Sequence, residues 1–345
     1  MANIGIDLGT ATTLVYVAGK GLVYNQATAI AYDEASNAVI SFGDQAEAMI
    51  GRTPPSIRVV KPLSTGVVSD YGAAQLYLKL VMKQTLKRSF MRPDQVVIGV
   101  PSRITGTEFK AMEDSLSQSR IAKIWAVQEP VAAAIGAGLD FAKPRGCLIM
   151  DIGAGTTDIA MLSLGRVVQS RSIKVGGDAF ITAFISYLTN EVRLNVGRKT
   201  AEGFLHTHGQ ASLKNTERTS IKGIDVTLGL PVDKEIAPVV TYRAIESTVL
   251  LIVTELKLLL DNAPPDLATD VLTDGIHLTG GGSLLRGLAD LIAEKTGIAT
   301  QHVPDPLLSV ALGCGKIAED ISAYKFMLET APNDPASAAR AEALS

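Results

Sequence analysis

The pattern Asp-x-Gly-x-x-Thr-Thr occurs twice in this 345-residue chain, as "DLGTATT" at residues 7–13 and as "DIGAGTT" at residues 151–157. Each copy closes an apolar run ("NIGIDLG", "CLIMDIG") and precedes another ("TLVYV", "DIAML"), which is the pattern of a hairpin with a small polar turn. One copy is most simply a turn. Two copies at the same internal spacing predict a chain built of two similar α/β halves. The length agrees, since 345 residues exceed what one core comfortably organises.

The turn also has a chemistry. An Asp ending a strand, followed by Gly and two hydroxyl residues, gathers backbone N–H groups, hydroxyls and one carboxylate around a common point. A polyphosphate with Mg²⁺ uses all three. Amides and hydroxyls take phosphate oxygens, while the carboxylate holds the ion through water, because Mg²⁺ dehydrates reluctantly. A third turn, "LTGGGSLLRGLADLIAEKTG", reads as a strand, a triple glycine and a helix with Ser283 as N-cap and Gly297 as terminator, the outline of an anion site.

Composition narrows the classes. A formal net charge of −3 leaves no basic footprint, so no nucleic-acid partner is expected. With 47% hydrophobic and 19% charged residues the chain is globular rather than disordered. Cys147 and Cys314 lie in apolar stretches and read as buried thiols of a reducing cytoplasm. The opening "MANIGIDLG" lacks the basic start and apolar run of a signal peptide. The densest apolar stretch, "TVLLIVTELKLLLDN", is interrupted by Thr254, Glu255 and Lys257, short of the roughly 20 residues a bilayer needs. His206 and His208, two apart, diverge by about 200° on a helix and do not suggest a metal site.

The two hairpins, "QEPVAAAIGAG" and "LTGGGSLLRGL" occur in the order of the actin, Hsp70 and sugar-kinase superfamily. Within it the chain resembles the MreB family of bacterial actin-like cell-shape proteins from Gly5 to about Glu319, with "MIGRTP", "VPSRIT", "SLGRVVQSRSIKVGGD" and "DPLLSVALGCGKI" adding to the match. The resemblance implies an actin-like fold of two duplicated ribonuclease H-like lobes around a nucleotide cleft. Its implied subdomains are IA (1–29, 64–140, 316–330), IB (30–63), IIA (141–178, 244–315) and IIB (179–243), with a flexible tail at 331–345. "QEPVAAAIGAG" and "DPLLSVALGCGKI" are expected to cross the hinge as closely packed helices.

The resemblance also assigns roles. Asp7 and Asp151 would hold the water shell of Mg²⁺. Gly9, Thr10, Ala11, Thr12 and Thr13 would take one side of the phosphates of ATP (or GTP), and Gly153, Gly155, Thr156 and Thr157 the other. Glu129 would orient the attacking water with Thr156 as helper, although its place before Pro130 is also that of a helix cap. Gly280, Gly281 and Gly282 would let backbone approach the adenosine, and Gly176, Gly177 and Glu202 would contact the ribose region. Departures stand at Thr12 (usually Asn), Ala154 (usually Gly) and Asp158 (usually Glu), and at Gly203 and Leu205, where an acidic residue and a Lys are common.

The implied function is an ATPase that polymerises with itself into paired protofilaments on an anionic membrane, at the cytoplasmic inner face, beside membrane proteins of cell shape or wall synthesis. No amphipathic helix precedes the first strand, so membrane contact is expected from Phe90 and Met91, flanked by Lys83, Lys87, Arg88 and Arg92. The alternatives are a solvated basic face there and, for the whole chain, a sugar or small-metabolite kinase. A kinase needs a further acidic motif for its substrate, and none stands out. An Hsp70-type chaperone would carry a peptide-binding domain beyond the ATPase body.

Overall fold

The computed structural model describes residues 3–328 apart from 88–92, 103, 118–120, 122 and 212–216. Phe90 and Met91 therefore lie outside the described residues.

Two five-stranded mixed sheets carry the molecule. In the first the strands stand in the order Lys123–Gln128, Gln95–Val100, Ile4–Leu8, Thr12–Val17, Gly21–Ala27. In the second the order is Thr300–His302, Ile276–Thr279, Cys147–Ile152, Thr157–Ser163, Arg166–Ile173. Both sheets have one plan: a central strand antiparallel to the next strand in sequence and parallel to a much later one. The repeated motif therefore occupies the same turn in each, with Asp7 opposite Leu14 in one register and Asp151 opposite Asp158 in the other. Every residue of the central strand Cys147–Ile152 is buried, as a strand covered on both faces requires.

Helices Glu129–Ala137 and Ser309–Glu319 cross where the lobes meet. A Cβ on Gly136 would lie 1.8 Å from the Ser309 carbonyl oxygen, and one on Gly313 would lie 1.8 Å from that of Ala132. The backbones touch, so only glycine fits at the crossing. Lys316 Nζ fastens it by donating to the carbonyls of Ile135 and Gly136, each at 3.0 Å. Val97 and Trp125 from the first lobe share a core here with Ile149 and Leu162 from the second.

Each lobe adds a small three-stranded sheet. The first has Val39–Phe42, Ile30–Asp33 and Ile57–Val60 with helix Asp44–Met49. The second has Leu194–Asn195, Thr219–Asp225 and Pro231–Ile236, near helices Gly177–Asn190 and Arg198–His208. The additions meet across the cleft, where Glu47 Oε1 accepts from Lys199 Nζ at 2.8 Å and has Lys61 Nζ at 3.5 Å. The long helix Pro238–Asp261 buries Ala244, Ile245, Val249, Ile252, Val253, Leu256 and Leu259 in the second-lobe core and exposes Leu250, Leu251 and Leu258. Among the described residues no helix is long and apolar enough to cross a membrane.

One expectation is corrected. Ser283 does not cap a helix: Gly281–Leu284 is a single 3₁₀ turn, and the α-helix Leu288–Thr296 begins after Gly287. The left-handed backbone of Gly287 separates the two, and the buried Ser283 hydroxyl donates to the Gly280 carbonyl at 2.7 Å. Gly297, at φ 74°, ends the helix as expected.

Candidate nucleotide site

Asp7 and Asp151 stand at the ends of the two central strands, each beside its hairpin turn. Gly9 N–H donates to the Thr12 carbonyl at 3.0 Å, and Gly153 N–H donates to that of Thr156 at 2.9 Å, so the two turns are closed by the same bond. They also approach each other. A Cβ on Gly155 would meet Thr10 Oγ1 and Thr65 Cα, each at 2.7 Å. Thr65 and Gly66 form the tip of a small hairpin between Leu63–Ser64 and Val67–Val68, and Gly66 N–H donates to Thr10 Oγ1 at 3.0 Å. The sequence reading missed this tip; its Thr-Gly pair between short apolar runs was the available signal.

The two threonines of each motif differ in role. Thr28 gives its only hydroxyl proton to the Gly9 carbonyl at 2.8 Å, so in the 2.8 Å contact between Thr13 and Thr28 the donor is Thr13. Thr157 donates to the Val175 carbonyl at 2.7 Å. Both Thr13 and Thr157 are fully buried. The expectation that they line the phosphates is corrected: their hydroxyls are spent on shaping the turns. Thr12 is exposed, and Ala11 and Thr156 are half-buried.

Four carboxyls converge. Burial pushes Asp7 up to about 7 from its ordinary 3.8. Asp151 is raised by burial and then by the charges of Asp7 and Asp158. Glu129 is raised well above its usual range by burial, then by Asp158, Asp151 and Asp7. Asp158 is raised by burial, against the pull of the Ser102 amide and of the Ser172, Ser102 and Thr156 hydroxyls. Glu129 and Asp151 are thus raised by their acidic neighbours as well as by burial, and a cation placed among these carboxyls would favour their ionised forms. Among the described residues no group of three or more His, Cys, Asp or Glu could ligate a metal directly. Glu129 is the first residue of its helix, and neither it nor Gln128 makes a side-chain cap bond there. The cap reading of Glu129 is thus set aside.

The triple glycine packs on the second turn. Gly280 has φ 82°, and a Cβ on it would lie 2.3 Å from Asp151 Oδ1, so its smallness serves the Asp151 carboxylate first. Gly177 N–H donates to the Gly153 carbonyl at 2.9 Å, and Asp178 N–H to that of Ala154 at 2.8 Å. The start of that helix is therefore tied to the turn, with Gly176 buried between them. Gly281 and Gly282 lie beside two bare leucines, Leu284 and Leu307, 45% and 58% exposed. Their exposure was not anticipated, and Leu307 Cδ2 would lie 3.3 Å from a Cβ on Gly281. Glu202 lines a cavity of about 300 Å³ with Glu47, Lys61, Arg198 and Lys199 where the small subdomains meet. Gly203 faces open space, and Leu205 is buried in the second-lobe core.

The family profile described as MreB/Mbl protein matches residues 1–326. The cell shape-determining protein Mbl of Bacillus subtilis is 36% identical over 321 residues, 92% of this chain and 96% of that protein. The crystal structure of MreB5 of Spiroplasma citri bound to AMPPNP is 33% identical with a TM-score of 0.87, covering 94% of this chain and 98% of that one. The MamK double helical filament is 25% identical with a TM-score of 0.78, covering 92% and 99%. Two duplicated lobes, a shared carboxylate cluster and these agreements over nearly the whole length have one meaning: the chain belongs to the MreB/Mbl family of actin-like cell shape-determining proteins.

Proposed function

We propose that this protein binds ATP with Mg²⁺ between its lobes, hydrolyses it, and polymerises into filaments at the cytoplasmic face of the cell membrane, where they organise wall synthesis and shape. The observation that carries the reading is the convergence of Asp7, Asp151, Glu129 and Asp158 between two phosphate-type turns. A solved relative holding AMPPNP supports it.

Bound Mg²⁺ supplies the positive charge that lets carboxylates and triphosphate share one cleft. Asp7 and Asp151 would hold its water shell. The amides of Gly9 and Gly153 close their own turns, which leaves phosphate oxygens to the donors inside each turn. Thr10 accepts from Gly66 and keeps its own proton for a phosphate. Glu129 orients the attacking water, with Thr156 as its helper, a role worth about 10²–10⁴-fold. Burial and Asp158 raise Glu129 most, with Asp151 and Asp7 after them, so a cation compensating the last two would remove part of that rise. The triple glycine at 280–282 would take the adenosine side, and Glu202, which lines the cavity between the small subdomains, is assigned to the ribose region.

Self-association draws on a bare apolar hairpin of the second lobe, where Leu228 and Leu230 are 67% and 61% exposed next to Ile224 and Val226, and on the filament formed by MamK. Membrane attachment rests on the sequence of the Phe90–Met91 segment alone. The test is sedimentation and electron microscopy with Mg-ATP, alongside phosphate release with and without added sugars. Filaments with phosphate release support the reading; sugar-stimulated ADP release without polymer would replace it with a kinase.

A further inference from the structure

The duplication makes one residue conspicuous. Asp158 occupies the place that Leu14 holds in the first half, directly opposite the motif Asp in each register. Asp158 is 1% exposed. Placing a carboxylate in a buried strand position where the other half has leucine costs stability unless it is bonded, so what it touches matters.

It touches the other lobe. Asp158 Oδ1 accepts from the backbone N–H of Ser102 at 2.8 Å. Ser102 follows strand Gln95–Val100 of the first sheet and lies in the "VPSRIT" segment, which the nucleotide reading left without a role. On its own side Asp158 faces Asp151 in register and is flanked by Ser172 on the next strand. The Thr156 hydroxyl lies near enough to steady its charge, and Asp158 is the charge that Glu129 feels most. Its second oxygen, Oδ2, and Ser102 Oγ are both buried and close no hydrogen bond. One carboxylate thus grips the first lobe's backbone while carrying the charge that bears most on Glu129 and drawing on the Thr156 hydroxyl.

We propose that Asp158 is a positioning residue, a clasp that fastens the Ser102 corner of the first lobe to the second phosphate hairpin, so that closing the lobes on nucleotide and setting Glu129 against Thr156 are one event. An N–H donated to a carboxylate is stronger than a neutral bond, and this one runs from one lobe to the other. The clasp itself needs nothing from hydrolysis; its consequence for Glu129 rests on the ATPase reading above.

The test uses the full chain with Asp158→Ala, Asp158→Asn and Asp158→Leu, the last borrowing the residue already accepted at the duplicate position. Amide exchange at Ser102 is followed with and without Mg-AMPPNP, and single-turnover ATP hydrolysis and nucleotide affinity are measured in parallel. Ser102 protection should fall at least tenfold in the Ala and Leu variants and be largely kept in Asp158→Asn, whose carbonyl oxygen still accepts. The hydrolysis step should slow at least tenfold in Ala and Leu, while nucleotide affinity stays within about threefold. Unchanged Ser102 protection in whichever of these two folds would overturn the clasp. Lost protection with wild-type hydrolysis would overturn its link to Glu129. A wild type that protects Ser102 on binding AMPPNP yet never hydrolyses ATP would refute the ATPase reading and leave the clasp standing.

Discussion

Replacing Asp7 by Asn separates what the site costs from what it does. The Asp7 carboxyl is pushed by burial from 3.8 to about 7, and at about 1.4 kcal/mol per pKa unit that corresponds to about 4 kcal/mol against the folded state once the group is forced to ionise. The sign follows from linkage. Between 3.8 and 7 the unfolded chain has released a proton that the folded chain retains, so stability is lost as pH rises through that window and levels off above it. At pH 5 the penalty is about 1.6 kcal/mol, and at pH 8 it reaches the full value of about 4 kcal/mol.

Asp7→Asn should therefore be more stable than wild type without metal or nucleotide, with an advantage that grows by about 2–3 kcal/mol from pH 5 to pH 8. In a chain of this size that is a rise of several degrees in melting temperature. With Mg-AMPPNP the order should reverse at pH 8, because the ligand stabilises only the protein that holds it. The assay is thermal unfolding of both proteins at the two pH values, with and without Mg-AMPPNP. An Asn variant less stable than wild type in the unliganded state at pH 8, or an advantage independent of pH, would refute the claim that this carboxylate is held for a cation.

Other outcomes follow from the same geometry. Asp151→Ala should abolish Mg-dependent hydrolysis, whereas Glu129→Ala should slow the chemical step by about 10²–10⁴-fold and spare binding; phosphate release and nucleotide titration distinguish them, and wild-type turnover by Glu129→Ala would remove its assignment. Glu47→Gln should weaken the contact with Lys199 across the cleft mouth by at most about 1 kcal/mol, a roughly fivefold faster and salt-sensitive nucleotide release in stopped flow. Leu228→Asp with Leu230→Asp should leave the monomer folded and stop pelleting with Mg-ATP; normal polymer would exclude that hairpin from the subunit contact. Phe90→Ser with Met91→Ser should reduce co-sedimentation with anionic vesicles, since two such side chains contribute about 1.5–3 kcal/mol each and a filament multiplies them; equal pelleting with lipid would move the anchor elsewhere.

The duplicated architecture was legible because D-x-G-x-x-T-T is a local signal: short-range turn chemistry attached to apolar runs, repeated. The hinge was legible for a similar reason, since small residues in "PVAAAIGAG" and "LGCGK" announce close helix packing. Contacts made across the cleft were not. Nothing in "PLSTGVV" says that Gly66 will donate to Thr10, and nothing near Leu205 says that it will turn into the core. Thr12 and Thr13 look equivalent as letters, yet pairing with the next strand exposes the first and buries the second against Thr28. Ser283 misled because a hydroxyl residue before apolar spacing resembles an N-cap, while Gly287 interrupts the backbone three residues after Leu284.

Duplication also shows where function breaks symmetry. Two copies of one hairpin give two matching turns closed by matching bonds, Gly9 to Thr12 and Gly153 to Thr156, and symmetric turns suit a ligand whose phosphates and cation lie between them. The proposed hydrolysis is directional, so the groups assigned to the water cannot be duplicated without attacking from both sides. The chain answers with single copies: Glu129 comes only from the first lobe's edge, and Asp158 stands where the first half keeps Leu14. Asp158 is buried and Glu129 half-buried, the proton affinity of both is raised, and each is destabilising on its own terms. Their retention on one side of an otherwise repeated frame is what a binding fold alone would not require and what a one-sided reaction would.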